Sequence, residues 1–284
     1  MKLELLCSDS MGVRSMALYI EADLNIIIDP SASLGPYRYG LRPTMLEFKK
    51  LEECKKKIHE RAQYSDIIII THYHYDHYDP EETFYNGKKI LLKSGEENIN
   101  RSQKLRFEYF KNKLKEFHFA DKKSFIFFNT EIKFSEPFHH GNEKSALGFV
   151  ISVVIENNKK ILFTSDVEGP IIKNVADYII KENPEIVIID GPPTYFLGYK
   201  FSQNDLERSI KNLKEISNEI ELVILDHHLL RDLDYRNRLK EVYSKGNVIT
   251  YAEFNKIEIN MLEAHRKDLY KKGEKEYSGI DFEE

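Results

Sequence analysis

The segment Thr71-His72-Tyr73-His74-Tyr75-Asp76-His77 constrains this chain more than any other. It follows directly on Asp66-Ile67-Ile68-Ile69-Ile70, an apolar run with the composition of a fully buried strand. Four groups able to bind a metal then leave that strand in close succession. His72 and His74 are two apart, so both imidazoles project to the same side while the chain stays extended. Asp76 and His77 arrive as the chain turns away, and they face a second position beside the first. Imidazole with carboxylate, and no thiolate, suits zinc, iron(II), manganese or cobalt. A solvated polar strand end is the plain alternative, but chance seldom sets H-x-H-x-D-H at the exit of an Ile-rich strand.

The 284 residues are enough for one large domain or two small ones. No linker or short repeat divides them, so we read a single domain over 1–284, with a charged tail from Lys267 that is expected to fray. A net charge of −5 argues against a surface that is, as a whole, a nucleic-acid footprint. Cys7 and Cys54 cannot build a disulfide framework, lie outside any C-x-x-C pattern and suit a reducing cytosol. Met1 to Leu6 lacks the long apolar core of a signal peptide. No apolar run approaches the roughly 20 residues that span a bilayer. The expected location is cytoplasmic, with no membrane partner. Scarce glutamine beside abundant Lys, Glu and Ile leans toward a thermophilic source.

In chain order, Lys2 to Asp29 reads as strands, with candidates at Ser15–Glu21 and Leu24–Ile28. The second ends at Asp29-Pro30, where the Asp is either a site carboxylate at a strand exit or a turn former before Pro. The loop Gly35 to Pro43 carries Tyr37, Arg38 and Arg42, which suit an anionic substrate or a surface turn equally. Thr44 is an N-cap for a helix running to about Tyr64. A helical stretch from Asn98 to Phe117 interleaves six cations with aromatic residues. It is a phosphate- or nucleic-acid-binding face or, preferred here, an amphipathic helix whose core face carries Leu105, Phe110 and Leu114. Hairpins follow around Asn129-Thr130 and Asn157-Asn158. Helices are expected over Ile171–Lys181 and Ser202–Ile216. Strands end at Asp190 and at Asp226-His227-His228. Each half of the chain runs strands, then helix, then an Ile-rich strand that delivers His or Asp at its exit.

Of the ten histidines, seven fall at strand exits: His72, His74, His77, His139, His140, His227 and His228. Strand ends of an α/β sheet converge on one rim, so these groups and Asp29, Asp166, Asp190 and Asp226 can meet in space. The order Asp29, H-x-H-x-D-H, His140, Asp166, His227 resembles the metallo-β-lactamase superfamily over Asp29 to about Asp232. More closely, Gly12-Val13-Arg14-Ser15, Tyr39-Gly40-Leu41, Asp190-Gly191-Pro192-Pro193-Thr194-Tyr195 and Leu225-Asp226-His227-His228-Leu229 resemble an uncharacterised archaeal family of metal-dependent hydrolases with this fold.

The resemblance implies an α/β fold, a four-layer αββα sandwich of two mixed sheets flanked by helices. It implies two divalent ions, Zn2+ first with Fe2+ or Mn2+ as alternatives. His72, His74 and His140 would hold one, Asp76, His77 and His227 the other, and Asp166 would bridge them. Asp29 would orient a ligand histidine through its ring N–H. The pattern selects His140 over His139 because it precedes Gly141, and His227 over His228 because it follows the strand directly. The implied chemistry is hydrolysis by a hydroxide held between the ions. Asp76 would accept its proton, His228 or His139 would protonate the leaving group, and Tyr37, Arg38, Arg42 and Tyr195 would meet the substrate.

A small anionic ester, lactone or phosphodiester is the expected substrate. The alternatives are an RNA- or DNA-processing phosphodiesterase docking on the Asn98–Phe117 helix and, third, a non-enzymatic metal-binding scaffold. Redox diiron members of the superfamily carry a carboxylate where His74 stands. The nuclease branch with a large inserted domain needs far more chain than Asp166 to His227 provides. The tRNA-processing branch is matched only loosely by His227-His228-Leu229-Leu230-Arg231-Asp232, and the antibiotic-degrading branch is a secreted type.

Overall fold

The structure, a computed structural model, describes residues 1–278. In the first sheet, β1 (Lys2–Leu5), β2 (Leu18–Glu21) and β3 (Asn25–Ile28) pair antiparallel. From β3 onward, β4 (Ile67–Ile70), β5 (Lys89–Leu92) and β6 (His118–Phe119) run parallel. The second half repeats this plan. Strands β7 (Ser124–Phe127) and β8 (Thr130–Phe134) form a hairpin, and β9 (Phe138–His139) pairs with β10 (Phe149–Val150) in a separate ribbon. Strand β11 (Val153–Glu156) joins β8 antiparallel to β12 (Lys160–Phe163). Then β12, β13 (Ile186–Asp190), β14 (Leu222–Asp226) and β15 (Val248–Ile249) run parallel.

Burial on both faces of each sheet explains the unbroken Ile runs. Because side chains alternate along a strand, Ile67 and Ile69 enter the core between the sheets, against Ile188, Ile224 and Phe163. Ile68 and Ile70 face outward, under α1 (Met45–Tyr64) and α2 (Arg101–Lys111). The second sheet is covered in the same way by α3 (Lys173–Glu182) and α4 (Gln203–Glu219), whose Val175, Ile179, Leu213 and Ile216 meet Val187, Ile189, Val223 and Leu225. The result is the expected αββα sandwich. Short helices α5 (Tyr235–Arg238), α6 (Lys240–Tyr243) and α7 (Tyr251–Phe254) and then α8 (Leu262–Lys271) complete the described chain.

Helix α1 begins as Thr44 predicted, with a capping box in which Thr44 Oγ1 accepts from the Glu47 amide and the Glu47 carboxylate accepts from the Thr44 amide. Two other expectations fail. Helix α2 turns Gln103, Phe107 and Phe110 to the core and leaves Leu105 63% exposed. Gln103 wins the inward place because it is needed there: its amide accepts from Tyr73 N and donates to Leu147 O. Of the tail expected from Lys267, some residues lie in regular structure. Residues 267–271 belong to α8, and Tyr277 stacks on Phe48 at 3.7 Å between centroids. The remainder of the expected tail lies outside the described residues. Finally, Cys7 and Cys54 are joined as a disulfide that ties the β1–β2 connection to α1, with their Cα atoms 6.1 Å apart. Among the described residues, no helix is long and apolar enough to cross a membrane.

Candidate metal centre

The ends of β3, β4, β12 and β14, with the β9–β10 ribbon, deliver one cluster. Ligand atoms of His72, His74, His140 and Asp166 lie within 4.8 Å of one another, as do those of Asp76, His77 and His227. Asp166 touches both groups, 3.2 Å from His140 Nε2 and 3.1 Å from His77 Nε2. Tight turns at the strand exits make this possible. Asp29, Ser165 and His227 are non-glycine residues in the left-handed region, with φ of 47°, 60° and 59°. Such conformations persist only where their surroundings over-determine them.

The rings of His72, His77 and His227 are oriented through Nδ1, which leaves Nε2 to face Asp166. His77 Nδ1 lies 2.8 Å from Asp29 Oδ2. That carboxylate also accepts from the Thr71 amide at 2.8 Å and from Thr71 Oγ1 at 2.6 Å. His227 Nδ1 lies 2.8 Å from Asp9 Oδ2. The Ser165 hydroxyl holds His72 Nδ1 at 3.2 Å. Glu168 Oε1 lies 3.6 Å from His140 Nδ1. Gly141, at φ +91°, leaves room for that carboxylate, because a Cβ there would fall 2.5 Å from Glu168 Oε2. Carboxylate or hydroxyl support of the far ring nitrogen is how proteins hold metal-ligating histidines.

Two observations test whether a cation fits. Nε2 of His72, His77 and His140, with Asp166 Oδ1, are buried without an aligned hydrogen-bond partner. Each orphan of this kind costs about 1–3 kcal/mol unless something binds it. The electrostatics agree. Burial, with His77 next, pushes His72 well below its ordinary pKa, and burial with His140 pushes His74 down to about 3, so both rings keep free lone pairs. Burial alone would lower His77 and His227 as well. Asp166 and Asp29 outweigh it at His77, and Asp166 and Asp9 raise His227 to about 10. Burial would raise Asp166, yet His77 and His227 hold it well below the carboxylate range. The buried Asp166 therefore demands positive charge, which protons on His77 and His227 or a divalent ion can supply.

His228 faces the same space from behind. Its Nδ1 lies 2.9 Å from Asp190 Oδ1 and Oδ2, and its ring lines the cleft. His139 is not brought there. Neighbours on a strand project to opposite faces, so when His140 points in, His139 packs on Phe149, 4.6 Å away across the β9–β10 ribbon. Asp226, another strand-end carboxylate, is a backbone anchor that accepts from the amides of Ser10, His227 and Tyr251.

The cleft above the cluster encloses about 940 Å³ and is lined by His74, Asp76, His140, Asp166 and His228. Its cations are Arg14, Lys55, Arg106 and Arg231 rather than Arg38 or Arg42. Arg38 instead lies over the Tyr39 and Tyr195 rings at 4.6 and 4.7 Å and donates to Arg231 O at 2.9 Å. Arg42 lies over Tyr37, and neither lines the cleft. Tyr195 lies behind Arg231, with its hydroxyl 3.5 Å from Nη1. The four residues expected to meet substrate brace the loops around it, because aromatic stacking and carbonyl acceptors claim them first. Arg14 pairs with Glu263 at 2.6 Å, Lys55 with Asp79 at 2.8 Å and Arg231 with Asp9 at 2.8 Å. Arg106 spreads over Tyr75 at 4.6 Å and donates to Tyr73 O at 3.1 Å, with no carboxylate partner among the described residues. It is the one cation of the Asn98–Phe117 stretch that reaches the cleft.

Sequence reading missed Asp9, Glu168 and Arg231. Nothing local marks Asp9 or Glu168, whereas Arg231, four residues after His227 on the same 3-10 turn, carried a spacing signal.

No family model matches the chain. It is 44% identical to the UPF0282 protein of Korarchaeum cryptofilum over 282 residues, 95% of this chain and 94% of the relative. It is 41% identical to that of Methanopyrus kandleri over 281 residues, 92% and 96% of the two chains. Among solved structures it is similar to an isothiocyanate hydrolase from Delia radicum gut bacteria, with a TM-score of 0.53 at 17% identity over 84% of this chain and 94% of the other. A possible metal-dependent hydrolase from Veillonella parvula gives a TM-score of 0.54 at 15% identity over the same shares. At these identities the likeness is one of fold, that of the metallo-β-lactamase proteins.

Proposed function

The chain belongs to the UPF0282 family, and from that premise we propose that it is a metal-dependent hydrolase of a small anionic ester, lactone or phosphodiester. The observation that carries the proposal is the cluster of buried, orphaned Nε2 atoms of His72, His77 and His140 around Asp166, with the first two rings held from behind by Ser165 and Asp29. His72, His74 and His140 would hold one divalent ion and Asp76, His77 and His227 a second, with Asp166 shared between them. The hydrolase names of the two fold relatives support this reading. Nitrogen and carboxylate donors without thiolate favour zinc, with iron(II) or manganese as alternatives. A cytoplasmic setting is part of the proposal, since intracellular disulfides like Cys7–Cys54 occur in hyperthermophilic archaea.

Bound there, the ions supply Lewis-acid polarisation of the scissile group and a water acidic enough to ionise near neutral pH. The chain's own residues supply the rest. The Asp76 carboxylate borders the cleft and accepts the nucleophile's proton. His228, held through Nδ1 by Asp190 and kept neutral by burial beside Arg231, presents Nε2 to receive that proton from Asp76 and pass it to the leaving group. Arg106 offers its open N–H groups to the substrate's anionic end, beside the half-exposed rings of Tyr75 and Tyr109.

Elemental analysis of protein purified without chelator or metal-binding tag tests the reading, together with a screen of chromogenic esters and phosphodiesters. Bound divalent metal and turnover are expected in the wild type, and His74→Ala and Asp166→Ala should lose both. Variants that kept full metal and full activity would overturn it.

A further inference from the structure

At the end of α2 away from the metal centre, a second cavity of about 400 Å³ opens where the chain enters β5 and β6. Lys88, Lys89, Lys113, Lys115 and His118 line it, with Glu116 as its one carboxylate. Few of the ammonium N–H groups are taken. Lys88 donates to Gln63 O at 2.7 Å, and Lys89 lies 5.6 Å from the centre of the Phe127 ring. Lys115 has no hydrogen bond or ion pair among the described residues. The Glu116 side chain is 82% exposed and lies 3.6 Å from His118. The net charge of −5 belongs to the whole chain, whereas this cavity is locally cationic.

One helical face joins the cavity to the cleft. Arg106, Tyr109 and Lys113 are spaced i, i+3, i+7, so they fall in a row about 10 Å long. Arg106 and Tyr109 line the cleft, Lys113 lines the lysine cavity, and the Lys113 ammonium lies 4.5 Å from the centre of the Tyr109 ring. Cations and rings alternate along this row, with Arg106 over Tyr75 and Lys113 over Tyr109, and both rings are half exposed. The Tyr78 hydroxyl, buried and without a hydrogen-bond partner, borders the same cleft. Glu81 opposes the cations, since it accepts from both the Tyr109 hydroxyl and Lys113. Its side chain is 66% exposed, so it can turn into solvent when another anion meets Lys113. A cationic groove that carries exposed rings suits a single nucleic-acid strand, with ammonium groups following the phosphates and rings stacking on the bases. A free polyphosphate would use the lysines and leave the rings idle.

We propose that this row is a docking track for a short single-stranded oligonucleotide. Its bases stack on Tyr75 and Tyr109 and one of its phosphates sits in the lysine cavity, while a phosphodiester further along the strand enters the metal centre. That last placement rests on the phosphodiester form of the reading above; the track stands on its own residues. A mononucleotide cannot occupy both ends.

The test is fluorescence anisotropy of a fluorescein-labelled phosphorothioate hexanucleotide, whose linkages keep their charge and resist cleavage. It is titrated with the whole protein as purified, at several salt concentrations. Affinity should fall with a log–log salt slope of about −3, as for four phosphate contacts on a single strand. Lys88→Gln, Lys89→Gln and Lys115→Gln combined should flatten the slope by about two and weaken binding at least tenfold. Turnover of a small chromogenic phosphodiester by that triple variant should match the wild type. Lys115→Gln alone, which breaks no contact, should flatten the slope by about 0.7. Tyr109→Leu should weaken binding about tenfold and leave the slope where it was, because stacking releases no counterions. A mononucleotide should compete at least tenfold less well than the hexanucleotide. No binding of the hexanucleotide, a slope that the lysine substitutions do not move, or equal competition by the mononucleotide would overturn the proposal and leave the metal-centre reading standing. Binding of inorganic tripolyphosphate without the hexanucleotide would also overturn it and give the cavity to a small polyanion. Binding as expected in a protein that proves to hold no metal would support the track and overturn the reading above.

Discussion

Asp9 Oδ2 lies 2.8 Å from His227 Nδ1, although 218 residues separate them in sequence. The contact joins the first loop of the chain to the last histidine of the candidate centre. The other carboxylate oxygen holds Arg231 Nε, so one side chain orients both the ring and its neighbouring cation. Asp9→Ala is therefore expected to weaken metal binding by about ten- to a hundredfold. It should also destabilise the fold by roughly 3–5 kcal/mol, because Arg231 is left buried and unpaired. Metal titration and urea unfolding of the same variant measure the two effects separately.

The Arg14–Glu263 pair sets an acid limit on stability. Burial would raise the Glu263 pKa, but the Arg14 guanidinium outweighs it and holds the carboxyl at about 2, below its ordinary value of 4.5. A depressed carboxylate stabilises the fold above its unfolded pKa and loses that contribution as pH falls through the folded value. The loss is expected between about pH 4.5 and 2, and it amounts to about 3 kcal/mol for a pair this buried. Guanidinium unfolding at pH 7 and pH 3 should show a smaller pH dependence in Glu263→Gln than in the wild type.

His228 and His139 separate by position. His228→Ala should lower kcat by about 10²–10⁴-fold on any ester or phosphodiester the wild type turns over. Metal content measured on the same variant separates a proton-transfer role from ligation, because His228 also lies within 4.8 Å of Asp166 and His227. His139→Ala should leave kcat where it was, since its ring packs on Phe149. Equal effects from the two variants would contradict the cleft as described.

Arg106 is expected to act on binding rather than turnover. Losing a charged hydrogen bond costs about 1.5–3 kcal/mol. Arg106→Ala should accordingly raise KM about ten- to a hundredfold for an anionic substrate, with kcat nearly preserved, and a neutral analogue should show little change. Steady-state kinetics across that substrate pair is the check.

The Cys7–Cys54 bridge closes a separation of 47 residues. By the chain-entropy relation a loop of that size stabilises by about 4 kcal/mol. Unfolding with and without a thiol reductant should reveal a loss of that order, matched by Cys54→Ser and absent when the reductant is added to that variant.

The fold was legible where it depends on neighbours in sequence. Burial on two faces wrote itself into Ile67–Ile70 and Ile186–Ile189, and Thr44 with Glu47 marked a helix start that the capping box reproduces. Helix α2 was expected with Phe110 inward, as it is, but Leu105 was misassigned to the core, since hydrophobicity favours Leu105 and cannot register that Gln103 is required by two backbone groups of other elements. Cys7 and Cys54 gave no sign of their pairing. It follows from α1 packing on the first sheet, which places them together.

The sequence by itself determined the local donors of the candidate centre. H-x-H-x-D-H at a strand exit settles which side chains leave together and in which direction, because strand geometry repeats every two residues. Tertiary structure alone decided what surrounds them. Asp9 behind His227, Arg231 beside Asp76, Glu263 on Arg14 and the choice of Arg106 over Arg38 in the cleft are contacts between distant segments. Charge and hydrogen-bond energies fall off over a few ångströms, so they follow proximity in space, which the order of residues along a chain does not carry.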